Sequence, residues 1–127
     1  GKPVQIVEYT FNNPDVFPKQ ITYQPAPIIL LEGLFVFANK GLNSMYDYRL
    51  YIDADEDVTL DRRIKRDTTE RGMTLDEVMY QWDNHVKPAY DQFLKPHIKD
   101  SDYVIQNTDN FEDCLVHVIA KFRDVIE

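Results

Sequence analysis

Apolar positions along this chain recur with a period of two in some stretches and 3.6 in others, and the switches between them mark out its elements. Val4-Gln5-Ile6-Val7-Glu8-Tyr9 alternates apolar with polar, the pattern of an edge strand. From Asn12-Asn13-Pro14-Asp15 through Pro18 to Pro25 and Pro27 the chain reads as loop, because prolines at this density forbid a regular helix. Ile28-Ile29-Leu30-Leu31 is a continuous apolar run closed by Glu32-Gly33, the pattern of a core strand covered on both faces in a parallel sheet. Arg49-Leu50-Tyr51-Ile52-Asp53 predicts a further strand. Asp55-Glu56-Asp57 then places acids at the start of a helix reaching about Arg66, with Leu60 and Ile64 on its inner face. Thr74 and Glu77 form a capping box that opens a second helix, striped by Leu75, Val78, Met79, Trp82, Val86 and Ala89 or Tyr90, which Pro88 should kink or interrupt. Tyr103-Val104-Ile105 predicts a short last strand. A capped helix follows from near Asp109 and Asn110, with Phe111, Leu115, Val118, Ile119, Phe122 and Ile126 as its stripe.

Strands separated by helices indicate an α/β fold with a mostly parallel sheet. Three or four strands make a thin sheet, so part of the domain is expected to lie outside this chain. Its start at Gly1-Lys2, without an initiator Met, fits a processed or truncated protein.

Charge changes the picture most. The formal net charge is -8, yet the run Arg62-Arg63-Ile64-Lys65-Arg66-Asp67-Thr68-Thr69-Glu70-Arg71 gathers a large share of the 14 Lys and Arg residues. Concentrating cations in an acidic protein costs self-repulsion, so a small anion is expected there. Followed by Gly72 and the helix start at Thr74, the run reads as a helix end joined to a loop, suited to an arginine-bearing lid. The acidic balance argues against a nucleic-acid or anionic-membrane partner, which needs a broad basic face. No apolar run approaches the ~20 residues of a membrane span, and the single Cys114 excludes an internal disulfide. The cytosol is the expected compartment. At 127 residues with 43% hydrophobic content, the chain is one domain's worth.

Several residues carry candidate chemistry. Glu32, at the carboxyl end of the predicted core strand, suits a magnesium-side acid or an acid/base residue, or else a strand-ending acid paired to an arginine. Arg62 and Arg66 share a helix face, Arg63 can pair with Asp67, and guanidinium forks fit phosphate oxygens; the plain alternative is a solvated face neutralised by neighbouring acids. Tyr9 and Phe11 fall on one face of the first strand and either stack on a base or sugar or fill core. Gln81 is placed to read a polar ligand edge or simply to be solvated. His85, His97 and His117 lack metal-ligand spacing and read as structural or surface residues. Cys114 reads as a buried or half-buried thiol. The Asp53, Asp55, Glu56, Asp57 cluster is explained by helix N-capping without a metal. The only glycines are Gly1, Gly33, Gly41 and Gly72, so no phosphate-cradling P-loop is present.

Leu31-Glu32-Gly33, the block from Arg62 to Gly72, and Val86-Lys87-Pro88-Ala89 occur in the order and spacing of the uridine kinase (uridine-cytidine kinase and phosphoribulokinase) family, which the chain resembles over essentially its whole length. It corresponds to the second half of a family member, residues 1–127 being the C-terminal portion of one nucleoside-kinase-like domain with a lid at about 62–74. The first half, which in the family holds the P-loop and a catalytic aspartate, is not part of it. The resemblance implies a three-layer P-loop-kinase fold that transfers the ATP γ-phosphoryl to the 5′-hydroxyl of uridine or cytidine with Mg2+. It implies Glu32 as the metal-side acid and Arg66 and Arg71 as lid arginines on the phosphates. Arg63 and Gln81 would contact the nucleoside, Tyr9 and Phe11 would line its pocket, and Asp109 would lie near the nucleotide. The partners implied are ATP and a nucleoside or related acceptor, with self-association into a homo-oligomer left open.

Two departures bear on the acceptor. Asn12-Asn13-Pro14-Asp15 stands where the family's nucleoside kinases usually carry a base-reading His, and Arg71-Gly72-Met73 stands in place of Arg-Gly-Arg. Loss of polar readers should relax discrimination of the pyrimidine. A stand-alone nucleotide- or anion-binding or regulatory module, and a family kinase acting on a non-nucleoside acceptor, are the alternatives.

Overall fold

The structure is a computed structural model that describes residues 1–8, 10 and 17–126. Its contacts divide the chain into two units. The larger runs Glu32–Lys121; the smaller comprises Gly1–Leu31 with the end of the last helix.

In the smaller unit β1 (Val4–Val7) pairs antiparallel with β2 (Gln20–Tyr23), in the register Val4↔Tyr23 to Val7↔Gln20. The ladder continues through Glu8 N–H, which donates to the Lys19 carbonyl at 2.8 Å. β2 lies inside the stretch expected to be loop. The prolines exclude a helix there but leave Gln-Ile-Thr-Tyr between Pro18 and Pro25, long enough for a β-branched strand.

The expected core strand is corrected as well. Ile28–Leu31 adopts no strand, and Ile29, Leu30 and Leu31 are exposed. A parallel strand satisfies its backbone only through neighbours on its edges. Among the described residues none pairs with this segment.

The larger unit holds the parallel pair β3 (Leu50–Asp53) and β4 (Tyr103–Gln106), in register Leu50↔Tyr103 to Asp53↔Gln106. Arg49 fixes its entry, with its backbone N–H donating to Asp102 Oδ2 at 2.7 Å and its carbonyl accepting from Asp102 N–H at 2.9 Å. The described strands therefore form two separate two-stranded sheets, one parallel and one antiparallel, in place of one mostly parallel sheet. The chain is α/β.

The α-helices include a short α1 (Lys40–Asn43), α2 (Glu56–Glu70), α3 (Leu75–Gln81) and α5 (Glu112–Ile126). After α3 the chain stays helical to Asp100 through wide π turns at Trp82–Val86 and Tyr90–Leu94, on either side of a single turn α4 (Lys87–Ala89), and ends in a tighter 3-10 stretch, Lys95–Asp100. Pro88 interrupts the α-helical ladder as expected. The missing donor is accommodated by register change, with Lys87 N–H bonding the Trp82 carbonyl one residue further back than an α-helix would. Among the described residues, Val78, Trp82 and Ile105 are the buried apolar side chains.

Candidate functional site

The cationic run is helix almost to its end. α2 begins with Glu56 and Asp57 in its first turn, where the macrodipole favours acids, and half-buries Leu60 and Ile64 as expected. Asp55 occupies the capping position without a side-chain cap bond, and Asp53 instead accepts from Tyr90, so N-capping explains only part of that acidic cluster. The helix passes the expected end at Arg66 and continues to Glu70. Thr68 and Thr69, poor helix formers, are accommodated because their hydroxyls donate back to the carbonyls of Ile64 (2.7 Å) and Lys65 (2.6 Å). Gly72 then turns the chain at φ +66°, a conformation that disfavours residues with a Cβ, and Met73 N–H returns to the Asp67 carbonyl at 3.1 Å. The turn delivers the chain into the expected capping box, in which Thr74 N–H donates to Glu77 Oε2 at 2.8 Å and Glu77 N–H to Thr74 Oγ1 at 3.3 Å. The Thr74 bonds hold the Glu77 carboxyl below its usual pKa.

Asp67 is the centre of the arrangement. It falls seven residues after Leu60 and three after Ile64, on the inward stripe of α2, and is fully buried. An isolated carboxylate in that position would be very costly. Three guanidinium groups meet it: Arg66 Nε lies 2.8 Å from Oδ1, Arg71 Nη1 3.1 Å from Oδ1, and Arg63 Nε 3.4 Å from Oδ2. The hydrogen bond from Arg66 is the largest cause that holds Asp67 below the usual carboxylate range, with the charges of Arg66, Arg63 and Arg71 acting the same way against burial. The same bond raises Arg66. Arg63 also donates through Nη2 to Gln81 Oε1 at 2.9 Å, which ties α2 to α3.

The structure thus brings Arg63, Arg66, Arg71 and Gln81 together. Arg62 does not join them. Its Nη1 and Nη2 donate to the carbonyls of Asn107 (2.6 Å) and Thr108 (2.9 Å), so the face shared with Arg66 is divided between two tasks. Asp109, exposed in the bend after β4, follows directly on those two carbonyls, and Asn110 caps α5 by accepting from Glu112 N–H at 2.9 Å. Glu32 is exposed and makes no hydrogen bond or ion pair among the described residues. Tyr9 and Phe11 lie outside the described residues, as does the Asn12–Asp15 departure.

A cleft of about 470 Å³ opens at the carboxyl end of β3, lined among others by Asp53, Arg62, Trp82, Lys87 and Tyr90. Tyr90 donates to Asp53 Oδ1 at 3.1 Å. Burial first, then the neighbouring Tyr51 and Asp53, raise the Tyr90 hydroxyl far above its ordinary pKa, which keeps it a proton donor. Lys87 pairs with Glu56 across the mouth. The three histidines are engaged with aromatic rings: His85 with Tyr80, His97 with Phe37, and His117 stacked on Tyr103 at 4.2 Å. Cys114 is half-buried, and the Tyr103 hydroxyl interacts with it. No described helix is long and apolar enough to cross a membrane.

Residues 1–112 match the family model described as Phosphoribulokinase / Uridine kinase family. The chain belongs to that family. Among relatives of this uridine kinase family chain, a uridine kinase of Macrococcus caseolyticus is 37% identical over 127 residues, covering 100% of this chain and 62% of the relative. A uridine kinase of Staphylococcus epidermidis is 37% identical over 105 residues, covering 83% and 51%. A uridine-cytidine kinase A of Dictyostelium discoideum is 39% identical over 111 residues, covering 87% and 22%. The chain spans about half the length of the bacterial uridine kinases it matches.

Two features of this family member escaped sequence reasoning. Asp67 was visible only as a helix-spaced partner for Arg63, although an acid in a core position flanked by Arg63, Arg66 and Arg71 is itself a signal of a gathered cation array. The Asp53–Tyr90 bond joins positions 37 residues apart, and no local pattern announces it.

Proposed function

We propose that this chain is the lid-bearing, C-terminal part of a uridine-kinase-like phosphotransferase that moves the ATP γ-phosphoryl to the 5′-hydroxyl of uridine, cytidine or a related acceptor. The observation that carries the reading is the convergence of Arg63, Arg66 and Arg71 on one buried carboxylate beside Gln81, in a chain of this family. Phosphoryl transfer needs little covalent chemistry from protein; it needs positioning and charge neutralisation. Arg66 and Arg71 are the lid arginines of this reading, Arg63 and Gln81 its acceptor contacts with Tyr9 and Phe11, and Asp109 a nucleotide neighbour.

The residues present fit ATP and Mg2+. Arg66 and Arg71 are 44% and 54% exposed and spend one nitrogen each on Asp67, which leaves donors for phosphate oxygens. The described residues hold no group of three or more potential metal ligands. Magnesium in kinases is usually held by one or two carboxylates together with substrate phosphates and water, and Glu32 suits that sparse role. When bound, the ion supplies neutralisation of phosphate charge. The exposed Ile29, Leu30 and Leu31 support a three-layer P-loop fold completed by further chain, with the isolated segment inactive. A cytoplasmic setting belongs to the same proposal.

The test is transfer from Mg-ATP to uridine and cytidine, measured for this chain and for the full-length parent. The parent is expected to turn over and the 127-residue chain is not. Turnover by the lone chain at a full-length relative's rate contradicts the partition. Transfer by the parent only to a non-nucleoside contradicts the acceptor.

A further inference from the structure

Asp67 is the one fully buried charged side chain among the described residues, and no catalytic role has been attached to it. A single negative charge faces three positive ones, so it does not neutralise the arginines; it gathers them. Both Arg66 and Arg71 use the same oxygen, Oδ1, which draws two mutually repelling guanidiniums onto one acceptor. Arg63 faces the other oxygen, Oδ2, and is the least exposed of the three at 20%. Its remaining fork is aimed at Gln81.

The two carboxylate oxygens therefore sort the arginines by task. Oδ1 holds the pair whose half-exposed heads present unused N–H groups outward. Oδ2 faces, as an ion pair without a hydrogen bond, the one tied to α3 through Gln81. We propose that Asp67 is a positioning residue that fixes Arg66 and Arg71 as one preformed receptor for a phosphate-class oxyanion and couples that receptor to the Arg63–Gln81 pair. This rests on the phosphotransferase reading above and deepens it. A carboxylate that hydrogen-bonds Arg66 and ion-pairs Arg71 beside it leaves their other donors free, so an arriving anion meets two guanidiniums already gathered at one point.

The rival role is competition. Asp67 would then be an internal anion that an arriving phosphate must displace. The two roles differ in sign, because removing a positioning group weakens anion binding and removing a competitor strengthens it.

The experiment is titration of the chain with tripolyphosphate, read by calorimetry and by the arginine Nε–H resonances in proton–nitrogen spectra. In the unaltered chain the Arg66 Nε–H should show slow solvent exchange, as a donor to a buried carboxylate, and the Arg71 resonance should shift on titration. Asp67→Asn keeps the shape and removes the charge. It should lose the protected Arg66 signal and weaken tripolyphosphate at least about tenfold. If Asp67→Asn fails to fold, Asp67→Glu keeps the charge on an arm one methylene longer. Positioning expects it to weaken binding by several-fold, whereas a role in charge balance alone expects full retention. A folded Asp67→Asn with unchanged or tighter binding overturns the proposal while leaving the lid reading intact. No binding by the unaltered chain overturns the preformed receptor, whereas the lid reading stands or falls separately on phosphoryl transfer by the full-length parent.

Discussion

Two apolar stretches of this chain meet opposite fates. The stripe of α3 and the turn after it places Val78 and Trp82 at 0% and 7% exposure, whereas Ile29 and Leu30 stand at 77% and 82%. Hydropathy marks both as core. The difference lies in how each backbone is satisfied. A helix closes its hydrogen bonds within its own sequence, so α2 and α3 form first and then only need a face to pack. A parallel strand has nothing to close until another strand lies beside it. Asp67 sharpens the contrast, because the helical region is ordered well enough to bury a charge and supply its partners from residues within four positions.

The largest expected effect of breaking this contrast is in the helical region. Trp82→Ala should cost about 3–5 kcal/mol in denaturant unfolding, through lost burial and the cavity left behind. Leu30→Ala should change the same midpoint by less than about 0.5 kcal/mol. Equal costs would show that the exposed stretch is held by packing after all. Next comes Asp67→Asn, expected to cost about 1–3 kcal/mol, since the arginines keep some access to water. Its pH dependence carries a sign. Asp67 is held below its unfolded value of ~3.9, so its contribution is complete above that pH and is lost as pH falls through the lower folded value. Acid unfolding of Asp67→Asn should be correspondingly shallower below about pH 4; superimposable acid curves would argue against a charged Asp67. Smaller still, Thr74→Ala removes the α3 cap and should cost about 1 kcal/mol by thermal melting, with no loss if the box is not formed in solution.

What could be read in advance follows the same division. β3, α2, α3, β4 and α5 were legible as elements because caps, stripes and short apolar runs are local: Thr74 with Glu77, Leu60 with Ile64, and Tyr103 to Ile105 each sit within one window; the α5 stripe located its helix but leaves Phe111, Leu115 and Ile119 exposed. The extension of α2 past Arg66 depended on two threonine hydroxyls folding back, a side-chain choice that residue preference alone does not reveal. β2 is hidden by flanking prolines, which exclude a helix and make the stretch read as loop although they leave room for a short strand. At Ile28–Leu31 the pattern is that of a buried strand and the partners are absent among the described residues. Pairing partners are not written in the segment itself. In the site, the helix-spaced pair Arg63 and Asp67 was readable, and its link to Gln81 joins residues 18 positions apart. The family resemblance, carried by motif order, named Arg63 and Gln81 together where periodicity did not.

In the proposed function Arg66 and Arg71, gathered on Asp67, act on transferring phosphate charge more than on acceptor affinity. Steady-state kinetics of the full-length parent carrying Arg66→Ala or Arg71→Ala tests it most directly. The expected result is a kcat lower by on the order of a hundredfold with acceptor KM changed by less than about threefold. A raised acceptor KM at unchanged kcat would contradict it.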